Sequence, residues 1–509
     1  MGHVLNSEVE PLWVAADRVV QQHRNEKAFI DAKTGDSRTF AEVQQLAVLC
    51  AQVLRSAGIR EGQAVGLWAA NGVDWFAWLL GASRIGATTI PLNVKLTPPE
   101  LHHLIEVSDV RHVVTSQAPE DREQLVQEAL CVSSRNLTFL EFNPRGNPAD
   151  DESAIAPPAG TADSFVVAFS TTGSTGLPKL AVHTQGGLVS HHVALGKALE
   201  FELGPVLAAL PFCGVFGFTA AMAAFLSGTT AVVLPSFGYR EALDAIARWR
   251  VRFVGMNEAM GRHLLRRAAE TNSDLSSLEL IGVSGTNVTE VVASETSGGP
   301  TVLNLYGSSE TFALSGIWRL EDPPELRGLA GGWLTCPGAE VRVSADDQLE
   351  FRGPNIFQEY LGNPGATSQA FTADGWFKSG DIGRIVDVER PAFEFLSREG
   401  DELRMKGYLV SPAEIELAIL EAEGVEACAV VGVRNERFGT DDAVAFVVQT
   451  GALAEDQLQN HAARRLAEYK LPLRIITLDA FPTIHSANGD KLDRRTLRTH
   501  AQELIGQAS

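Results

Sequence analysis

Between residues 241 and 307 the chain reads EALDAIARWR (241–250), VRFVGM (251–256), EAMGRHLLRRAAE (258–270), LELIGVS (278–284) and PTVLNLYG (300–307). The first and third stretches carry apolar residues three and four apart, the spacing of an amphipathic helix. The others are short apolar runs of the kind that suits strands buried on both faces. Strand and helix alternate through short loops, with a short helix ahead of the last strand. That alternation predicts stacked α/β layers around parallel sheets.

The same pattern extends toward the N-terminus. Thr39 and Glu42 form a capping box ahead of AEVQQLAVLCAQVLRSAG (41–58), so a helix is expected there, ending at Gly58. QAVGLWAA (63–70) reads as a buried strand, WFAWLLGASRIG (75–86) as the helix after it and ATTIPL (87–92) as the next strand. After about residue 335 the texture changes to short strands with Gly and Pro turns: AEVRVSA, QLEFRG, GRIVDV and FEFLS. A β-rich subdomain is expected there. The last section restarts with its own small pattern. Ser411, Pro412 and Glu414 open a helix as N-cap, first-turn proline and capping-box acid, and Gly424 closes it. EACAVVGV (426–433) and DAVAFVVQT (442–450) then supply two strands. The fold expected is α/β: a large N-terminal body over 1–396 and a small α+β C-terminal domain over 397–509, with the boundary near Phe395–Arg398.

Composition sets outer limits. The 509 residues are 45% hydrophobic, 21% charged and 7% aromatic, which excludes disordered, collagen-like and disulfide-scaffold classes. A net charge of −21 repels nucleic acid and anionic membranes, so neither is expected as a partner. The five cysteines (Cys50, Cys131, Cys213, Cys336, Cys428) include no C-x-x-C pair, which points to a reduced, cytoplasmic chain. MGHVLNSEVE has no basic-then-apolar leader pattern, and Asn6 breaks the myristoylation motif. One segment imitates a membrane span: residues 203–239 carry no charge, and LAALPFCGVFGFTAAMAAFL (207–226) within them is nearly all apolar. Pro211, Gly214 and Gly217 crowd its first half, and Arg240 begins an amphipathic helix, so it reads as a buried loop and helix.

The chemistry concentrates in FVVAFSTTGSTGLPKLAVHT (165–184). An apolar run leads into Thr171, Thr172, Gly173, Ser174, Thr175 and Gly176, then exits through Pro178 and Lys179 into a second apolar run. Small residues let backbone N–H groups turn inward, hydroxyls add donors and the lysine supplies a cation, which together make a phosphate cradle. The spacing is not that of a Walker loop.

Further motifs follow in order. They are Tyr306–Gly307–Ser308–Ser309–Glu310; Gly375–Trp376–Phe377 with Gly380–Asp381; Arg398, Gly400 and Asp401 with LRMKGYLVSPAEIE (403–416); and NGDKLDRRTL (488–497). With a weaker early match at GASRIGATTIPLN (81–93), this series resembles the adenylate-forming superfamily of acyl-CoA synthetases, peptide-synthetase adenylation domains and firefly-type luciferases, on its acyl-CoA ligase branch. The resemblance implies an ATP-dependent ligase that joins a carboxylate to AMP and passes the acyl group to a thiol. ATP, Mg²⁺ and coenzyme A are the cofactors it implies. Loading of a carrier-protein pantetheine, or a non-catalytic member that holds nucleotide and acid, are the alternatives; a homodimer is allowed.

The roles follow residue by residue. Lys491, Glu310 and Thr175 are the candidate catalytic residues. The loop from Thr171 to Gly176 with Lys179 would hold the β- and γ-phosphates, and Glu310 suits Mg²⁺, a hard cation that takes carboxylate and phosphate oxygens. Gly285, Thr286 and Tyr306, with Gly307, Ser308 and Ser309, would line the base. Asp381 and Arg398 resemble the ribose-contacting residues. Lys491 would bridge the carboxylate and the α-phosphate, although here it stands in Gly489–Asp490–Lys491, one residue longer than the family's Gly-Lys. The resemblance also implies a mobile C-terminal domain hinged at Ser397, with Lys406, Gly407 and Tyr408 facing pantetheine. Tyr469, Lys470 and Arg474 are candidate contacts for the coenzyme's nucleotide. Phe212, Gly214 and Phe216 are expected to line an apolar pocket for a fatty, alicyclic or aromatic acid, and if 203–239 lines that pocket, its lack of any acid argues against an amino acid substrate.

Overall fold

A computed structural model describes residues 9–93, 96, 98–116, 137–141, 158–171, 178–285, 288–292, 294–295, 298–345, 347–387, 392–398, 403–406, 408–410, 412–435, 439–450, 453–486, 489–492 and 494–506. The chain opens with α1 (Leu12–His23), β1 (Lys27–Asp31), β2 (Ser37–Thr39) and α2 (Phe40–Ser56). The capping box forms as expected: the Glu42 N–H donates to Thr39 Oγ1 at 3.2 Å, and the Thr39 N–H donates to Glu42 Oε2 at 2.7 Å. Next come β3 (Ala64–Ala69), α3 (Val73–Ile85), β4 (Thr88–Pro91), α4 (Pro98–Ser108), β5 (His112–Ser116) and β6 (Thr138–Glu141). Helices α2 and α3 pack closely because Gly81 has no side chain; a Cβ there would lie 2.7 Å from the Ala47 carbonyl oxygen.

The middle of the body holds β7 (Phe165–Thr171), β8 (Lys179–Thr184), α5 (Gln185–Ala198), β9 (Val206–Ala208), α6 (Val215–Leu226), β10 (Ala231–Val233), α7 (Tyr239–Trp249), β11 (Phe253–Asn257) and α8 (Glu258–Thr271). After them run β12 (Leu280–Ser284), the short α9 (Thr289–Val292), β13 (Thr301–Ser308) and β14 (Phe312–Ile317). Helix α6 is apolar all round and buried from Gly217 to Leu226, which is where the membrane-like segment goes. Among the described residues no helix is long and apolar enough to cross a membrane.

The β-rich region comprises β15 (Gly331–Leu334), β16 (Glu340–Val343), β17 (Gln348–Arg352), β18 (Glu359–Tyr360), α10 (Pro364–Ala370), β19 (Phe377–Asp387) and β20 (Ala392–Arg398). Two body sheets result. Among the described residues one has seven strands, in the order β18-β8-β7-β4-β3-β5-β6, and the other thirteen, in the order β16-β17-β19-β20-β15-β14-β13-β12-β11-β9-β10-β1-β2. The expectation of parallel sheets holds from β10 to β13 and for β3 to β6. It fails at β7 and β8, which are antiparallel because only a short loop joins them. It fails again from β14 onward, where the β-rich strands extend the larger sheet in antiparallel fashion.

The C-terminal domain has β21 (Leu403–Met405), β22 (Tyr408–Val410), α11 (Pro412–Leu420), β23 (Val425–Asn435), β24 (Thr440–Gln449), α12 (Glu455–Ala463), β25 (Arg474–Thr477), β26 (Thr483–Ser486), β27 (Gly489–Leu492) and α13 (Arg494–Gly506). Its three-stranded sheet β23-β24-β25 buries one face under α11 and α12 and the other under α13. The molecule is thus mixed α/β, with a large N-terminal body and a small C-terminal domain.

Candidate active site

The turn between β13 and β14 lies where the larger sheet passes from parallel to antiparallel pairing. It carries Glu310. The Ser308 N–H donates to Thr311 Oγ1 at 3.0 Å, and the Glu310 N–H donates to Ser308 Oγ at 3.2 Å, so the turn's own hydroxyls shape it. The Glu310 side chain leaves its sheet and meets the other one. Its Oε1 accepts from Thr171 Oγ1 at the end of β7 and from the Tyr360 hydroxyl on β18, each at 2.9 Å. Lys179, at the start of β8, sits with its Nζ 4.2 Å from the centre of the Tyr360 ring. Residues Thr171, Lys179, Tyr360 and Glu310 therefore converge at the mouth of the 172–177 loop. That loop, which includes Thr172, Gly173, Ser174, Thr175 and Gly176, lies outside the described residues, as do Thr286 and Gly407.

A second group lies behind the first. The Tyr306 hydroxyl donates to Asp381 Oδ2 at 2.6 Å, and both residues are buried. The Asp381 N–H donates to Ser379 Oγ at 3.0 Å, and Asp381 pairs with Arg398 across β19 and β20. The Tyr306 ring packs on Phe351 and edge-on against Phe393, at centroid distances of 5.6 and 4.9 Å. Gly285 ends β12 where only glycine fits, since a Cβ there would stand 2.7 Å from Glu258 Cβ. Asn304 Nδ2 donates to the Gly285 carbonyl at 2.9 Å and holds it in place.

The C-terminal domain reaches this region through the β21–β22 hairpin. Lys406 stands exposed at its tip in a left-handed conformation, with φ 48°. The Tyr408 hydroxyl hydrogen-bonds with the Asn93 side chain, and burial, helped by the charge of the Cys213 thiolate, pushes its phenol up to about 12. Its ring stacks on Tyr469 with centroids 4.1 Å apart. Deeper in the interface Lys470 Nζ donates to Glu100 of the body at 2.6 Å and to Glu414 of its own domain at 2.5 Å. Burial works to lower the Lys470 ammonium, and Glu414 overrides it with help from its other neighbours, leaving it above its ordinary value. Burial pushes the Glu414 carboxyl up, against the pull of Lys470. Lys491 stands on β27 opposite Ile484, and its side chain lies outside the described residues.

Several expectations need correction. Glu414 binds Lys470 through its carboxylate, and Ser411, the other half of the expected capping box, lies outside the described residues. Lys470 is only 5% exposed and so is not left to meet a nucleotide, while Arg474 is half-exposed with its Nε bound to Glu455 at 2.7 Å. Tyr469 is spent on stacking with Tyr408. Phe212 does not line an open pocket: it has no exposure and packs edge-on against Trp75 and Phe76 in the core. Gly214 is exposed at the N-terminus of α6, and a Cβ there would meet only the Pro211 carbonyl oxygen, at 3.5 Å. Phe216 is half-buried over Gly255.

The sequence reading missed Tyr360, Asn93 and three histidines behind the Glu310 turn. His183, His191 and His192 are fully buried around Phe312. Burial lowers His183 to about 3 and His191 to about 4, and burial also holds His192 well below its ordinary value, so all three are neutral at neutral pH. The one signal for His183 was a histidine inside the apolar run KLAVHT.

Residues 16–361 match the AMP-binding enzyme family, and residues 414–488 match the AMP-binding enzyme C-terminal domain. The long-chain-fatty-acid–CoA ligase FadD13 of Mycobacterium tuberculosis is 26% identical over 487 residues, covering 92% of this chain and 95% of that one. The feruloyl-CoA synthase of an Amycolatopsis species is 30% identical over 474 residues, 89% of this chain and 92% of the other. The solved structure of o-succinylbenzoate CoA synthetase from Bacillus subtilis, a double mutant bound to a product analogue, superposes with a TM-score of 0.81 at 23% identity, covering 96% of this chain and 98% of that one.

Proposed function

The chain belongs to the AMP-binding enzyme family, and from that premise we propose that it is an ATP-dependent, AMP-forming acid–coenzyme A ligase acting on an apolar fatty, alicyclic or aromatic carboxylic acid. The observation that carries the reading is the convergence of Glu310, Thr171, Tyr360 and Lys179 at the mouth of the small-residue loop. A buried carboxylate fixed by two hydroxyls, with an ammonium nearby, fits a triphosphate and its Mg²⁺. Among the described residues no group of three or more His, Cys, Asp and Glu could hold a metal by itself. That suits Mg²⁺ arriving with the nucleotide, held by one carboxylate and the phosphates. The bound ion would neutralise charge on the phosphates.

In the first half-reaction a carboxylate oxygen bonds to the α-phosphorus of ATP and pyrophosphate leaves. Lys179 and the loop 171–176 would orient the β- and γ-phosphates. Asp381, fixed by Tyr306 and paired with Arg398, would accept from the ribose hydroxyls, and Gly285 and Tyr306 would border the base. Lys491 would bridge the acid and the α-phosphate, where a donor aimed at developing charge contributes on the order of 10²–10³ in rate. In the second half-reaction a thiol sulfur bonds to the acyl carbon and AMP leaves. The hydrogen bond of Tyr408 with Asn93 supports this step, because it ties the hairpin that carries Lys406 to the N-terminal body. The domains divide at 1–396 and 397–509, with Ser397 as the hinge. Both named relatives carry acids with apolar bodies in their names, a long-chain fatty acid and ferulate, and fatty acid metabolism is the setting the first suggests. Among the described residues Cys50, Cys213, Cys336 and Cys428 form no disulfide, which supports a reducing, cytoplasmic setting.

A pyrophosphate-release screen over a panel of carboxylic acids, with and without coenzyme A, tests the proposal. Apolar acids should release pyrophosphate and give a coenzyme A thioester by mass spectrometry. Release with amino acids alone, or none with any acid, would overturn it.

A further inference from the structure

The carboxylate assigned to the metal and the loop assigned to the phosphates belong to different sheets. Glu310 stands on the β13–β14 turn of the larger sheet, and residues 172–177 join β7 to β8 of the smaller one. Their relative position depends on what ties the turn to those two strands. Ser309 is the tie. Its carbonyl accepts from His183 Nε2 on β8 at 2.7 Å, and its Oγ donates to the Ser170 carbonyl on β7 at 3.3 Å. A carbonyl can only accept, so Nε2 of His183 carries the proton.

The rest of the turn is gripped from the same side. The His183 ring stacks on Phe312 with centroids 3.8 Å apart and planes 22° apart. His191 lies nearly parallel to Phe312 at 5.4 Å, and its Nε2 donates to the Ala313 carbonyl at 3.0 Å. His192 meets Phe312 edge-on at 5.0 Å. This grip holds a strained backbone: Phe312 and Leu314 have φ of 57° and 62°, a left-handed conformation that side chains rarely adopt. Such residues persist only where their surroundings over-determine them.

We propose that His183 is a positioning residue for the Glu310 carboxylate, fixing it against the phosphate loop through the Ser309 carbonyl. The inference rests on the metal role given to Glu310 above. It makes His183 part of the nucleotide site without touching nucleotide, and it separates two contributions of the ring: the N–H donor, which aims the turn, and the aromatic face, which packs it.

The test uses Mn²⁺ as the probe, with ATP and no acid, on the full chain; free Mn²⁺ is read by electron paramagnetic resonance, and metal-free ATP binding by calorimetry. H183F keeps the stack and loses the donor. It should bind Mn²⁺·ATP at least about tenfold more weakly, as partners behind a metal ligand commonly do when lost, while metal-free ATP binding stays within about twofold. H183Q, whose Nε2 can stand in for that of the ring, should recover most of the loss. H183N, whose amide ends short of the Ser309 carbonyl, should not, and this pair carries the test if H183F fails to fold. Wild-type Mn²⁺·ATP affinity in H183F, equal loss with and without metal, or an H183Q as weak as H183N would overturn the proposal. E310Q is the control. If it leaves Mn²⁺·ATP binding unchanged, the reading of Glu310 fails; if it weakens binding and H183F does not, only the role of His183 fails.

Discussion

Replacing Lys470 with methionine keeps the length and apolar stem of the side chain and removes the ammonium between Glu100 and Glu414. The two carboxylate oxygens touch the same Nζ at 2.6 and 2.5 Å, so they lie no more than about 5 Å apart. At an effective dielectric of about 20, two unit charges at about 5 Å repel by roughly 3 kcal/mol, a factor on the order of 100 in an equilibrium. In the proposed swing Glu414 would travel with the C-terminal domain and Glu100 would stay with the body, so the repulsion would fall on the docked arrangement alone. Protonating one carboxyl relieves it. The Glu414 carboxyl is already pushed up by burial, and in K470M it loses the ammonium that pulls it back. A carboxyl raised on docking binds its proton more tightly when docked. Docking of K470M is therefore favoured below the ordinary carboxylate range of about 4 and lost as pH rises through the raised value. The wild-type ammonium, held above its usual value, keeps docking constant through neutral pH. Energy transfer between a dye on the body and one on the C-terminal domain, followed from pH 4 to pH 9, measures this. A K470M docked fraction equal to wild type at neutral pH, with no dependence on pH, would refute the reasoning.

Three further outcomes are expected. K491A should lose on the order of 10²–10³ in pyrophosphate release yet still convert supplied acyl-adenylate into thioester; equal loss of both steps would remove the lysine from the first half-reaction. Y306F deletes the donor to the buried Asp381 and should lower stability by roughly 2 kcal/mol in urea unfolding while weakening nucleotide binding; an unchanged midpoint and affinity would show that the bond contributes nothing. G214W adds bulk at an exposed position with little against it and should shift the preferred acids toward smaller ones, as read from thioester yields over the panel; an unchanged profile would mean that Gly214 has no part in the pocket.

What was legible in the sequence was local. The capping box at Thr39 and Glu42 and the alternation from 241 to 307 each depend on residues a few positions apart, and each is an element or an element end in the structure. Distant partners decided the rest. Lys470 read as a surface cation because its two carboxylates stand 370 and 56 positions away. Glu414 has the spacing of a capping acid, and nothing in that spacing announces its bond to a buried ammonium 56 positions away. Phe212 sits in a loop-like string, and only the packing of Trp75 and Phe76 shows that the loop begins inside the core. His183 lies in an apolar strand, where nothing in the neighbouring residues announces a carbonyl 126 positions ahead. The antiparallel turn of the larger sheet at β14 was hidden for the same reason, since the pairing of a strand is a property of its neighbour.

The stretch before α6 is pinned at both ends and slack between them. Phe212 is sunk among aromatic rings and its N–H donates to Asn71, while a Cβ at Gly217 would collide with the Pro211 carbonyl oxygen. Residues 213–216 bridge those anchors, with Gly214 turned outward. If that window borders the acid, as proposed, variation within it would recut what the enzyme accepts while the packed part of the helix from Gly217 onward keeps its footing. Selectivity and foldability would then be held on separate residues, and a library confined to the window would sample new substrates without first having to survive unfolding.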